Sequence, residues 1–221
     1  MVDMRAQEAA DGTPRRSIFS RVAGAMALGV AGLLPAASHV EAAPAKSDAA
    51  HWPGALKTRH RQVVDAYEPN AGFPLAFAYT FVTPNPPGTA TAVIVLRHAA
   101  FPIALNSTMW EKYKIGETLK IIDPETKAPA VKNPFLHPKP GVLSADGMAI
   151  DRLLASGAIV GACNVALGAL SKMMAGNAGV GAADAAKEWA ANIVPGITVI
   201  PSGTWGVNRA QEAGCTYCAG G

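Results

Sequence analysis

"TAVIVLRH" (residues 91–98) carries Val93, Ile94, Val95 and Leu96 in one unbroken apolar run. A strand with one wet face alternates apolar and polar residues, whereas a strand covered on both faces is apolar throughout, so this run predicts a buried strand in a parallel sheet. Parallel neighbours need crossover connections, usually helices, and the rest of the chain should therefore alternate strand and helix. Downstream, "AIVGAC" (158–163) and "GITVIP" (196–201) read as further strands, and upstream "RQVVDAY" (61–67) reads as another.

The segments between them carry helical signals. "AAFPIALNSTMWEKYKIG" (99–116) spaces Ile103, Leu105, Met109, Trp110 and Tyr113 mostly as a helix would, with Gly116 as its stop. "SADGMAIDRLLASG" (144–157) predicts a helix capped by Ser144, burying Ile150, Leu153 and Leu154 and stopped by Gly157. Asn164 can cap a helix over 165–175, another covers 183–193, and Ser202 and Gly214 open and close one over 202–214. The segment 72–83 is apolar on all sides, and periodicity alone does not decide it; the crossover needed between the first two strands makes it a helix. Five prolines in 118–141 forbid a helix there and predict a hairpin or an excursion loop. The expected class is α/β, a doubly wound and mostly parallel sheet with helices on both faces.

The chain has 221 residues, a net charge of +3 and three cysteines. Its start, "TPRRSIFSRVAGAMALGVAGLLPAASHVEAAPA", joins Arg15-Arg16 and the pair Ile18-Phe19 to a Gly/Ala-rich apolar run, the pattern of a twin-arginine export signal spanning 1–45. That run is shorter than the roughly 20 apolar residues of a membrane-spanning helix, so no stable membrane insertion is expected, and the protein should work in the periplasm or another extracytoplasmic space. Residues 46–60 are expected to form a flexible lead-in, leaving 61–221 as one domain of about 160 residues, a common size. The basic and acidic residues of the signal nearly balance, and no basic stripe with interleaved aromatics follows, which argues against a nucleic-acid partner. "GNAGVG" (176–181) lacks the register of a dinucleotide loop, so no nucleotide is expected and no cofactor is named by the residues.

In doubly wound sheets ligands gather at the carboxyl ends of the strands. Three residues should stand there: His98, Cys163 and Ser202, with Arg97 and Asn164 beside them to line a pocket. Cys163 directly precedes a helix start, where backbone N–H groups favour a thiolate, so a nucleophilic or ligating sulfur is chemically sensible; a small hydrophobe closing a strand is the alternative. His98 is either its base or a hydrogen-bonded structural residue. A binding module holding a metal or small ligand between Cys163 and His98 is the rival from another class.

The terminal "CTYC" holds Cys215 and Cys218. The preceding helix should return the chain to the edge opposite Cys163, which separates the pair from that residue; a single pair is also half of a usual zinc site, so no metal is expected. What remains is a local disulfide in an oxidising compartment or a ligand pair completed by another subunit; the disulfide is the expectation, provided the segment leaves the strand and turns.

"TAVIVLRH", "AIVGACNVAL" and "ITVIPSGTWGVNRAQEAG", in that order, resemble the DsrE/DsrF-like superfamily across roughly residues 60 to 218, with Cys163-Asn164 and Pro201-Ser202-Gly203 as the most specific elements. The resemblance implies a small α/β fold with a five-stranded sheet, assembly into homotrimers or hexamers, and in some members a cysteine that carries persulfide sulfur to or from a sulfur-carrier or redox partner. Cys163 matches that cysteine.

Overall fold

The computed structural model describes residues 49–221. The twin-arginine segment lies outside the described residues. Strands β1 (His60–Ala66), β2 (Ala90–Leu96), β3 (Ile159–Cys163), β4 (Ile197–Ile200) and β5 (Thr216–Ala219) form one five-stranded sheet in the order β4-β3-β2-β1-β5. Every pairing is parallel. The α/β doubly wound class is thus present, with a fifth strand that pairs with β1 although the segment is not apolar.

The run that predicted a buried strand is the middle of the sheet. Residues 92–96 of β2 are fully buried, and they alternate between two cores. Ile94 and Leu96, with Val64 of β1, face a large core containing Phe101, Trp110 and Trp189. Val93 and Val95, with Val63 and Ile200, face a small one. Helices α1 (Phe73–Val82), α4 (Ile150–Ala155), α5 (Asn164–Met174) and α6 (Ala182–Ala191) supply residues to the large core, while α7 (Gly203–Glu212) covers the small one. α7 joins one edge strand to the other and so crosses β3, β2 and β1 on its way. The helix expected by elimination over 72–83 is α1.

Several local expectations fail for identifiable reasons. Residues 99–116 are not one helix: a 3-10 segment, His98–Ala104, precedes α2 (Ser107–Lys112) and α3 (Ile115–Leu119). Pro102 lies inside the first piece and offers no N–H to an α-helical ladder, Asn106 caps α2 through Met109 N, and Lys114 adopts φ 49°, which separates α2 from α3. Ser144 caps nothing; a 3-10 turn, Asp146–Met148, intervenes, and α4 starts after Ala149 without a side-chain cap. The excursion after α3 contains one antiparallel bridge, Ile122 with Pro129, as a short hairpin would.

Nor are residues 49–60 a free lead-in. Trp52 is only 6% exposed and packs in the small core. Glycine makes room for it: a Cβ on Gly161 of β3 would stand 2.7 Å from Trp52 Cζ2. Burying a side chain of this size contributes about 2–3 kcal/mol, enough to fix the segment on the sheet. Among the described residues, no helix is long and apolar enough to cross a membrane.

Candidate functional site

The chain leaves β3 and β4 toward opposite faces. Cys163 and Ile200 are register partners at the carboxyl edge. From Cys163 the chain enters α5, which packs on the large core; from Ile200 it passes Pro201 and Ser202 into α7, on the small core. Adjacent strands whose connections diverge leave a crevice between them, the place where open α/β sheets bind ligands. Both walls of this crevice begin with a capped helix. Ser202 Oγ accepts from Trp205 N at 3.2 Å. Cys163 Sγ accepts from Ala166 N at 3.4 Å, so the sulfur itself caps α5 and Asn164 is the first helical residue, not the cap. A thiolate there would gain from the amide and from the helix dipole, which is the environment of reactive cysteines. Cys163 is 5% exposed, so a reagent must be small or the edge must open.

Arg97 and His98 do not serve Cys163. Arg97 follows the last residue of β2 and is bound side-on by Asp65 of β1, Nε to Oδ1 at 2.6 Å and Nη2 to Oδ2 at 2.9 Å. Tyr217 of β5 donates its hydroxyl to the same Oδ2 at 3.1 Å, and the guanidinium lies 4.7 Å from the Tyr67 ring centre. The hydrogen bonds to Asp65 raise the pKa of Arg97 further, and burial, aided by Asp65, raises that of Tyr217, so both remain donors at neutral pH. Gly203 completes the pocket, since a Cβ there would collide with the stem of Arg97. Arg97 therefore ties β1, β2, β5 and the start of α7 together.

His98 turns out of the strand with φ 47°. Its ring stacks on Tyr67 at 4.1 Å, nearly parallel, and Nδ1 lies 3.1 Å from Glu68 Oε1. Both partners follow β1, whereas Cys163 ends β3 on the other side of β2. The expected pairing of His98 with Cys163, as base or as fellow ligand, is not formed. Asp65, Tyr67, Glu68 and Tyr217 join Arg97 and His98 instead. Asp65 left a trace in the sequence, as a charge within the buried half of β1; Tyr217 left none, because its role depends on β5 lying beside β1.

The expected disulfide is also absent. Residues 216–219 stay in the sheet as β5, and residues three apart on a strand point to opposite faces. Cys215 packs in the small core and Cys218 against the large one, both as free thiols. Cys215 does emerge at the amino edge, beside Arg61, which separates it from Cys163 as the topology required. Among the described residues, no three of His, Cys, Asp and Glu stand close enough to hold a metal ion.

No family model, curated protein or solved structure matches this chain.

Proposed function

We propose that this is an exported DsrE-like protein in which Cys163 carries sulfur or thiol-redox equivalents. The carrying observation is the placement of that sulfur: at the divergence of β3 and β4, accepting an N–H from the first turn of α5. Ser202 and the start of α7 form the facing wall, and Asn164 begins α5 beside the sulfur. His98 has no part in the chemistry, being engaged by Tyr67 and Glu68.

The simplest reaction compatible with a single sulfur is transpersulfidation. The Cys163 thiolate attacks the outer sulfur of a donor R–S–SH, the donor S–S bond breaks, and R–S⁻ leaves with the electron pair. Cys163–S–SH results, with no net oxidation. Helix-terminal amides favour the anion before and after transfer. The donor and acceptor are small thiols or a partner carrier protein, and the working unit is a homo-oligomer of the trimeric or hexameric kind.

Incubating the purified mature protein with glutathione persulfide, followed by intact mass and peptide mapping, tests this. The expected result is one added sulfur atom on Cys163, absent in Cys163→Ser. Sulfur distributed over Cys215 and Cys218 instead, or a stoichiometric metal in the untreated protein, would overturn it. Export has its own test: replacing Arg15 and Arg16 by Lys should leave full-length precursor in the cytoplasm, and normal export of that variant would refute the twin-arginine route.

A further inference from the structure

Left-handed backbone in residues other than glycine is costly, and where it recurs around one place it marks a ligand clamp or a strained functional turn. Among the described residues seven such positions occur: Asn70, Ala71, His98, Lys114, Lys120, Lys127 and His137. Three of them, Asn70, Ala71 and Lys120, line a single cavity of about 490 Å³, and a fourth, His98, holds the carboxylate of Glu68 in its wall. Ala71 gains no side-chain hydrogen bond from that conformation. The cavity lies where the turn between β1 and α1 meets the end of α3 and the following excursion, at the carboxyl end of β1. It is distinct from the Cys163 crevice, which opens at β3 and β4.

The lining sets the ligand class. Ile121, Phe135 and Leu143 are buried apolar walls, and the volume falls in the range that takes a small molecule. Glu68 is the polar group held in place, because Oε1 is tied to His98 Nδ1 at 3.1 Å; Oε2 has no hydrogen bond to a described residue. The Glu68 side chain is 44% exposed, so what sets it apart from Lys120, which is exposed and makes no side-chain hydrogen bond to a described residue, is the tie to His98. We propose that this cavity binds a small molecule with an apolar body and a protonated amine, the amine paired with Glu68. The inference does not rest on the role of Cys163.

Phenylbutylamine, phenylbutanol and phenylbutyrate share one apolar body and differ in head-group charge. Each is titrated into the isotope-labelled mature protein and followed by amide NMR shifts. The amine should saturate with shifts at Glu68, Asn70, Ala71 and Ile122, about tenfold or more tighter than the alcohol or the acid, a difference that corresponds to one charge-assisted contact. Glu68→Gln, nearly isosteric, should remove that preference while leaving weak binding of all three. Equal affinity for the three compounds, shifts centred elsewhere, or an amine titration without saturation would overturn the proposal. Should Glu68→Gln fail to fold, the head-group preference of the unaltered protein still decides it.

Discussion

Burial keeps Cys215 and Cys218 as protonated thiols. Neither sits at a helix start; withdrawal from water raises both pKa values, and for Cys215 it outweighs the nearby Arg61. Both should therefore be recovered as free thiols from protein purified without reductant, and iodoacetamide at neutral pH should reach Cys218 before the more deeply buried Cys215. The same shift carries a pH dependence. A thiol whose folded pKa is raised stabilises the fold fully below its ordinary value, and that contribution is lost as pH rises from there through the raised value. Urea-denaturation stability should consequently fall on the alkaline side, and Cys215→Ala should make the fall shallower. An unchanged alkaline slope in that variant would show that the thiol is not its source. The expected disulfide required the segment to leave the strand and turn, and the decision between turning and staying in the sheet is made by β1, far away in the chain.

At the scale of elements, the most deeply bonded polar anchor of the Pro-rich excursion is one buried side chain. Asn133, 2% exposed, donates from Nδ2 to Ile103 O at 3.0 Å and Leu105 O at 2.7 Å, and its Oδ1 accepts from Phe135 N. It thus satisfies carbonyls at the end of the 3-10 segment that an α-helix would have paired internally. Asn133→Ala should cost about 2–4 kcal/mol, the range for leaving several buried polar groups without partners, read as a lower urea midpoint. A loss under about 1 kcal/mol would mean that water replaces the side chain. The inner strands were legible because their apolar runs are continuous, and α7 because Ser202 caps it and Gly214 follows it. The 99–116 segment was not, since apolar spacing reports which residues are buried and says nothing of the new start at Asn106 or the left-handed turn at Lys114 that divide it. At the candidate site, the positions of Cys163 and Ser202 followed from strand ends, but the direction of His98 depended on its φ and on Tyr67.

For the molecule as a whole, the small core under α7 is where the balance is finest. It is built on seven buried residues, one of which, Trp52, precedes the first strand. Trp52→Ala should cost about 3–5 kcal/mol and lower the thermal midpoint, because Gly161 and Gly206 leave nothing to fill the space. A change within about 1 kcal/mol would mean that α7 settles onto the sheet without it. The path of α7 from β4 across the sheet to β5 has another consequence. Gln62 pairs with Thr216, so the last sheet contact joins distant parts of the chain, and loop-closure entropy delays it until the intervening elements are in place. Until then the outer edge of β1 is an open template that cannot distinguish its own α7–β5 arm from the identical arm of a second molecule. Refolding at high concentration should therefore yield species with exchanged arms, which protein kept folded throughout at the same concentration does not form.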